Sequence, residues 1–172
     1  FHAQRSPVVL DRLRSGEYMV GVCTGSSDSD TDLVSEVIRQ EPMVLILSGL
    51  KKKKFATSET IPVLTIESRS GAWTSIEDTM RQLKLVRVAS LESFFAVAQM
   101  AVSGFGHGLV PIGVARTLGV EDRHLIKLGA TDTMPSLTRP VRFVARKSMF
   151  AQALVRSFYL EAARLAADMD DT

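Results

Sequence analysis

The stretch Ser90–Gly113, SLESFFAVAQMAVSGFGHGLVPIG, decides the fold predicted for this chain. The valine-rich run just before it, Leu85–Ala89, predicts a short buried strand. Ser90 stands where a helix N-cap is expected, and apolar residues then recur at helical spacing up to Gly104, a natural left-handed stop. Further glycines turn the chain into a second strand that ends at Pro111. We therefore predict a strand–helix–strand unit whose two strands are parallel neighbours.

Two residues of this unit are candidates for ligand contact. In open α/β sheets, small ligands bind in the crevice at the carboxyl ends of the strands. Ser90 follows a predicted strand and starts a predicted helix, so its hydroxyl serves either as a cap or as a contact for a bound carboxylate. His107 lies in the glycine-rich corner and is placed to reach a ligand, although a partly exposed turn histidine is the commoner case.

Length and composition narrow the class of protein. The chain has 172 residues, of which 45% are hydrophobic and 23% charged, which suits one domain or two small lobes. Its net charge of +2 comes from 21 basic and 19 acidic residues, a balance that does not favour a nucleic-acid surface. No apolar run is long enough to span a membrane. The single cysteine, Cys23, excludes an internal disulfide, fits a reducing compartment and is interpreted as a small buried residue.

Local patterns predict the remaining elements. Ser6 followed by proline predicts a helix start with a serine cap, and Gly16 predicts the end of that helix. Strands are predicted at Tyr18–Cys23, Met43–Leu47, Ile61–Ile66, Leu125–Leu128 and Arg139–Lys147, the last with one solvated face. Helices are predicted at Trp73–Leu83, Ile112–Leu118 and Phe150–Met169. The last helix is expected to bury Leu154, Phe158, Leu160 and Leu165.

Strong catalytic and metal-binding signatures are absent from the sequence. It contains no Gly-x-Ser-x-Gly elbow, no phosphate-binding Gly-Lys-Ser loop, no His-Glu-x-x-His and no cysteine pair. Asp28, Asp30 and Asp32 are similar to the start of a calcium loop. Leu33 replaces the required glycine and Arg39 the bidentate glutamate, so a solvated loop is expected instead. The sequence predicts no metal, no cofactor and no enzyme, and a turnover assay would test the last point.

The central unit resembles a known family. Ser-Leu-Glu, an apolar helix and then Gly-x-Gly-x-Gly-Leu-Val-Pro are similar to the effector-binding domain of LysR-type transcriptional regulators. The similarity continues in Q-E-P-M-V-L-I-L and in the final R-P-x-x-x-V-x-R. It implies an α/β fold of two Rossmann-like subdomains with a ligand cleft between them, like a type 2 periplasmic binding protein. By this resemblance residues 1–61 and 141–172 form regulatory subdomain I, incomplete at its N-terminus, and residues 62–140 form subdomain II.

The resemblance also implies residues that contact the effector. In the family a serine or threonine at the start of the first helix makes such a contact, and Ser6 stands at that position. Thr24 and Gly25 follow the next strand and are expected to face the crevice. Ser68 and Arg69 lie in a strand exit loop that contributes to the family's pocket, and the arginine suits an acidic ligand. The predicted effector site therefore comprises Ser6, Thr24, Gly25, Ser68, Arg69, Ser90 and His107.

The resemblance implies a regulatory domain that senses an effector. A small anionic molecule, for which a carboxylate is expected, binds between the lobes and changes the arrangement of a homodimer or homotetramer. DNA would be bound only through an N-terminal winged helix-turn-helix outside this sequence. The protein is expected in the cytoplasm, without a membrane partner. The alternative is a stand-alone solute-binding protein of the same fold, which an upstream signal peptide would favour.

Overall fold

A computed structural model of the chain shows helices and strands that alternate along most of its length. It describes residues 2, 4–24, 31–51, 55, 59–66, 72–128 and 136–168, except the side chains of 72–75. The strands in these residues are β1 Val20–Cys23, β2 Leu33–Ile46, β3 Ile61–Ile66, β4 Leu85–Leu91, β5 His107–Pro111, β6 Leu125–Lys127 and β7 Thr138–Arg146. The α-helices are α1 Ser6–Ser15, α2 Ala72–Gln82, α3 Phe94–Val102, α4 Ile112–Thr117, α5 Lys147–Phe150 and α6 Ala153–Asp168.

The chain divides into two compact units. The first comprises Phe1–Gln40, Ser70–Ala72 and Pro140–Thr172, and the second comprises Glu41–Arg69 and Trp73–Arg139. Residues 41–51, which the resemblance assigned to subdomain I, lie by their contacts in the second unit. The local reason is that the end of β2 pairs with β5 and β6. The assignment of the units to regulatory subdomains stays a prediction.

In the first unit, β7 lies between β1 and β2. β1 runs antiparallel to β7, with Val22 opposite Phe143. Because successive strand residues point to opposite faces, β7 contributes to two small cores. The core under α1 contains Val9, Leu10, Leu13, Cys23, Leu33 and Val144. The core under α6 contains Phe143, Ala145 and Val155. The burial expected for Cys23 is confirmed.

In the second unit, the strand order is β2, β5, β3, β4, and β6 also pairs with β2. β3 runs parallel to β4 and β5, whereas β2 runs antiparallel to β5 and β6. Met43 and Leu45 of β2 pack on the face that carries α2, and Val44 and Ile46 pack on the face that carries α3. The sheet of this unit is therefore covered on both faces, as the continuous apolar run of β2 predicts.

Several predicted elements are confirmed. β3 has the predicted bounds, and α2 and α4 lie within a residue of theirs. Gly16 and Gly104 adopt the left-handed conformation expected at helix ends, with φ of 83° and 89°. In the described residues no helix is long and apolar enough to cross a membrane.

The prediction for the central unit is wrong in two respects. Ser90 is not a helix cap, because β4 continues through it to Leu91 and the helix begins at Phe94. The cap is Ser93, whose hydroxyl oxygen accepts a hydrogen bond from the Ala96 amide at 3.2 Å. The two strands of the unit are not neighbours either, because β3 lies between β4 and β5. Sequence order alone does not determine which strand enters that gap.

Three further expectations are wrong. Ser6 is the first residue of α1 instead of its cap, since Arg5 holds the N-cap position and no side chain caps the helix. The strand predicted at Met43–Leu47 is much longer, because β2 begins at Leu33 and runs for 14 residues to Ile46. The expected solvated face of β7 is covered, because Val144 is fully buried on the side of α1.

The C-terminal helix also differs from its prediction. It is interrupted after α5, and α6 begins at Ala153. The residues expected in its core are all about half exposed: Leu154 58%, Phe158 50%, Leu160 58% and Leu165 51%. The stripe that packs inward instead consists of Val155, Tyr159, Ala162 and Ala166. This stripe has helical spacing but lies one residue beyond the predicted one, so the choice of the largest apolar side chains gave the wrong face.

Candidate functional site

The start of α1 brings together two residues of the predicted effector site. The Thr24 amide, just after β1, donates a hydrogen bond to the Ser6 hydroxyl oxygen at 3.3 Å in a half-buried position. This contact joins the first residue of α1 to the carboxyl end of β1. A serine hydroxyl that accepts one bond keeps a proton to donate. Ser6 is therefore held in place and still able to donate to a bound group.

Arg142 of β7 lies on the same side of the sheet and was missed by the sequence analysis. Its Cα is paired with that of Cys23, which belongs to the core under α1. Cross-strand partners point to the same face, so the half-buried Arg142 side chain lies on the side of α1, near Thr24. The signal that could have revealed it is the alternation in R-P-V-R-F-V-A-R, which we interpreted as a solvated face.

The electrostatics of this end of α1 favour an anion. The helix start carries the positive end of the helix dipole, and its first turn contains no acidic residue. Arg142 adds a permanent positive charge whose planar donors match a carboxylate. Ser6 adds a neutral hydroxyl donor. We call this group, Ser6, Thr24 and Arg142, the α1 cluster; its chemistry is recognition of an oxyanion, and it contains no general base or nucleophile pair.

Ser90 and His107 lie in the second unit, on strands that do not touch each other. Ser90 is exposed near the carboxyl end of β4, where its Cα is paired with that of Thr65 on β3. His107 is the first residue of β5 and is paired with Val63 of β3. Because β3 separates them and they pair two residues apart along it, the structure does not bring these two side chains into contact.

His107 also has a local role. Its Nδ1 accepts a hydrogen bond from the Ser48 amide at 3.1 Å, and its ring meets that of Phe55 edge-on at 5.1 Å between centroids. These contacts fix the ring against the turn after β2. Gly25, Ser68 and Arg69, the other predicted contacts, lie outside the described residues. Within the part of the chain that the structure describes, no group of three or more His, Cys, Asp or Glu could hold a metal ion.

A cavity of about 600 Å³ lies elsewhere in the first unit, along β1. It is lined by His2, Val9, Glu17, Tyr18, Met19, Val20, Gly21 and Val22. The Arg12 guanidinium lies 5.5 Å from the centre of the Tyr18 ring, which also stacks on His2. Ser6 and Thr24 do not line it, so the α1 cluster and this cavity are separate features.

Comparison with known families decides the identity of the fold. A family model described as the LysR substrate binding domain matches residues 1–166. The chain belongs to this family. The resemblance inferred from the glycine-rich corner is thereby confirmed, and this domain is the effector-binding part of LysR-type transcriptional regulators.

A relative in sequence agrees with this membership. An uncharacterised helix-turn-helix-type transcriptional regulator from Vibrio cholerae is 23% identical over 156 residues. The match covers 88% of this chain and 50% of that protein. The chain thus spans about half the length of the curated relative that it matches.

Solved LysR-type domains share the fold. The effector-binding domain of QuiR, in complex with shikimate, superposes with a TM-score of 0.69 at 12% identity, over 96% of this chain and 79% of that one. The bromide-bound regulatory domain of HypT from Salmonella typhimurium gives 0.68 at 15% identity, over 97% and 81%. These likenesses confirm the predicted α/β fold of the type 2 periplasmic-binding-protein kind.

Proposed function

We propose that this LysR-type domain senses a small anionic effector and that the α1 cluster holds one of its oxyanion groups. The observation that carries the proposal is the hydrogen bond from the Thr24 amide to the Ser6 hydroxyl at the start of α1, one residue after Cys23, whose strand partner is Arg142. Three features there favour negative charge: a helix start without acidic residues, a hydroxyl with a proton to donate, and a guanidinium.

A carboxylate fits this cluster better than a neutral guest. A carboxylate only accepts hydrogen bonds, and the cluster offers a hydroxyl and a guanidinium that both donate. Solvent also screens the interaction of a half-buried arginine with a bound carboxylate less than it screens that of an exposed arginine. The ligands bound in two structures of the same fold support an anionic effector, because shikimate is an organic carboxylate and bromide is an anion. The effector contacts expected of Ser90 and His107 stay predictions.

We further propose that the domain works without catalysis, in the cytoplasm, as part of a homodimer or homotetramer. Its relative is a transcriptional regulator about twice as long as the match, which leaves room there for the helix-turn-helix part that its name describes. An effector biases such an assembly only if it binds one arrangement more tightly than the other. The same comparison favours a regulator over a stand-alone solute-binding protein.

Ligand-induced stabilisation tests the proposal. The melting temperature of the chain would be measured with increasing concentrations of a series of small organic carboxylates that includes shikimate, and of sulfate and bromide, since a ligand that binds only the native state raises it. We expect at least one organic carboxylate of such a panel to act at lower concentration than the inorganic ions. Arg142→Met is expected to weaken that binding by about tenfold or more, because it removes a charged hydrogen-bond donor. Sedimentation velocity with and without the anion would report any change of assembly.

The matched control is Arg164→Met, which removes the same charge from an exposed position on α6 of the same unit. This variant should bind as tightly as the unmodified chain. Equal weakening in both variants would mean that only net charge matters and would remove the α1 cluster from the site. A chain that responds to none of the anions would overturn the anionic class of effector.

A further inference from the structure

An ion pair joins two residues of the second unit, each of which lies next to a point where the chain passes between the units. The chain passes from the first unit to the second at Gln40–Glu41 and returns at Arg139–Pro140. Glu41, in β2, and Arg139, in β7, are thus the second-unit residues at these two crossings. Both Nη2 and Nε of Arg139 reach Oε2 of Glu41, at 2.6 and 2.7 Å. The crossings therefore lie side by side and are joined by two charged hydrogen bonds.

This pair is shielded from water. Glu41 is only 8% exposed, and the Arg139 side chain 20% exposed. The other carboxylate oxygen of Glu41 faces Gly113, where an added methyl group would come within 3.0 Å of it. A carboxylate so enclosed is costly to leave without its cation, since removing one partner of a buried pair strands the other charge. We expect the pair to persist in every folded state of the domain.

The cation also contacts an aromatic ring at the start of α3. The Arg139 guanidinium lies 5.0 Å from the centre of the Phe94 ring, within the range of a cation–π contact. Phe94 is the first residue of α3 and packs against both cores of the second unit. Beside the pair, the Met43 amide of β2 donates to the carbonyl of Leu137, the residue just before β7, at 2.8 Å, so the backbones are also joined here.

We propose that Glu41, Arg139 and Phe94 form a crossing clamp that binds both crossing strands to α3 as one body. Any bending of the chain at these crossings is then confined to the first-unit side, at Gln40 and Pro140. The proline ring fixes φ at its own position, so most of the rotation falls on Gln40 and on ψ of Pro140. The clamp is a conformational device of the fold and does not depend on which effector binds.

Hydrogen exchange of the chain tests the clamp without any ligand. Arg139→Met keeps the aliphatic stem and removes the charge, and the Met43 amide is expected to exchange about tenfold faster or more, because local opening becomes easier. The Val22 amide of β1, in the first unit, should not change. The double variant Glu41→Arg with Arg139→Glu should restore part of the protection at Met43, and Arg139→Lys should restore less than the original arginine.

A second measurement covers the case in which a single variant does not fold. NMR relaxation dispersion of the unmodified chain should show millisecond exchange at Gln40 and Val141, and not at Glu41 or Arg139. Equal exchange on both sides of the crossings would overturn the proposal. So would unchanged protection of Met43 in a folded Arg139→Met protein, or acceleration spread evenly over both units. None of these outcomes depends on anion binding, so the clamp and the proposed function are tested independently of each other.

Discussion

α1 with β1, in the first unit, and α3 with β5, in the second, are built alike. Each helix has a serine at its start and a left-handed glycine just past its end. Each strand that follows has a glycine beneath the helix: a Cβ on Gly21 would lie 2.6 Å from Val9 Cγ1, and one on Gly108 would lie 2.8 Å from Ala101 Cβ. In both units, a missing side chain lets a helix approach its strand closely.

The two arrangements differ in how the serine hydroxyl is used. Ser93 is the N-cap residue of α3 and accepts from its own helix, at the Ala96 amide. Ser6 lies one position further in, as the first residue of α1, and accepts from the strand residue Thr24 instead. A shift of one residue thus changes a serine from a helix cap into a link between helix and strand. The hydroxyl of the link stays near the helix start, where an anion would bind.

Replacing the strand glycines should have the largest effect and should separate the two units. Gly108→Ala places its methyl group against the Cβ of Ala101 and 3.2 Å from the Val97 carbonyl oxygen, and neither can rotate away. We expect a loss of about 2–3 kcal/mol in the free energy of unfolding. Gly21→Ala meets side-chain atoms of Val9 and Leu13 and no backbone atom, so a smaller loss of about 1 kcal/mol is expected. Urea unfolding measures both, and equal losses would contradict the comparison.

Removing the serine cap of α3 should have the next largest effect. Ser93→Ala is expected to lower the free energy of unfolding by about 1 kcal/mol, because it leaves a helix amide without its partner. Ser90→Ala, only three residues earlier, is the control and should leave stability almost unchanged, since Ser90 is exposed on β4. A larger loss for Ser90→Ala than for Ser93→Ala would restore the cap position predicted from the sequence.

The matching change at α1 should affect stability less and binding more. Ser6→Ala removes one half-buried hydrogen bond of 3.3 Å, for which a loss of about 0.5 kcal/mol is expected. Because the lost hydroxyl belongs to the α1 cluster, anion binding should weaken as well. Ser93→Ala should leave anion binding unchanged. Thermal unfolding with and without the anion measures both quantities, and identical behaviour of the two serines would end the distinction between cap and link.

The smallest effect is expected from an exposed ion pair on α6, far along the chain from either serine. A hydrogen bond from Arg164 and its positive charge lower the pKa of Glu161. A lowered carboxyl pKa stabilises the fold above the pKa of the unfolded chain, and that contribution disappears as the pH falls through the folded pKa. Arg164→Ala should therefore raise the pKa of Glu161 in an NMR titration. Both groups are fully exposed, so no measurable change in unfolding is expected.

Elements with a strong local pattern could be predicted from the sequence. β3 and α4 follow from short apolar runs with clear ends, and Gly104 from the need for a left-handed stop. The choice between Ser90 and Ser93 could not be made locally, because both precede the same apolar helix. It depends on the parallel pairing of Ser90 with Thr65 of β3, a contact with a strand distant in sequence.

The candidate site was predictable only in part, for a similar reason. The Ser6 position followed from the family resemblance and the Thr24 position from its place after a predicted strand. The hydrogen bond between them was not predicted. Arg142 was missed because the alternation in β7 does not show which of its faces is covered, and that depends on the pairing of β7 with β1, a strand distant in sequence. The α6 stripe was missed because the largest apolar side chains were assigned to the core, whereas the buried face lies one residue further along the helix.

The long strand β2 limits how the length of this chain can vary. Met43 and Leu45 serve one core and Val44 and Ile46 the other, so a single residue added or deleted between 33 and 42 would exchange these two sets. The same slip would move Glu41 away from Arg139. Insertions and deletions tolerated by the domain should therefore cluster in its loops, and a scan of single-residue deletions would find residues 33–46 among the least tolerant segments.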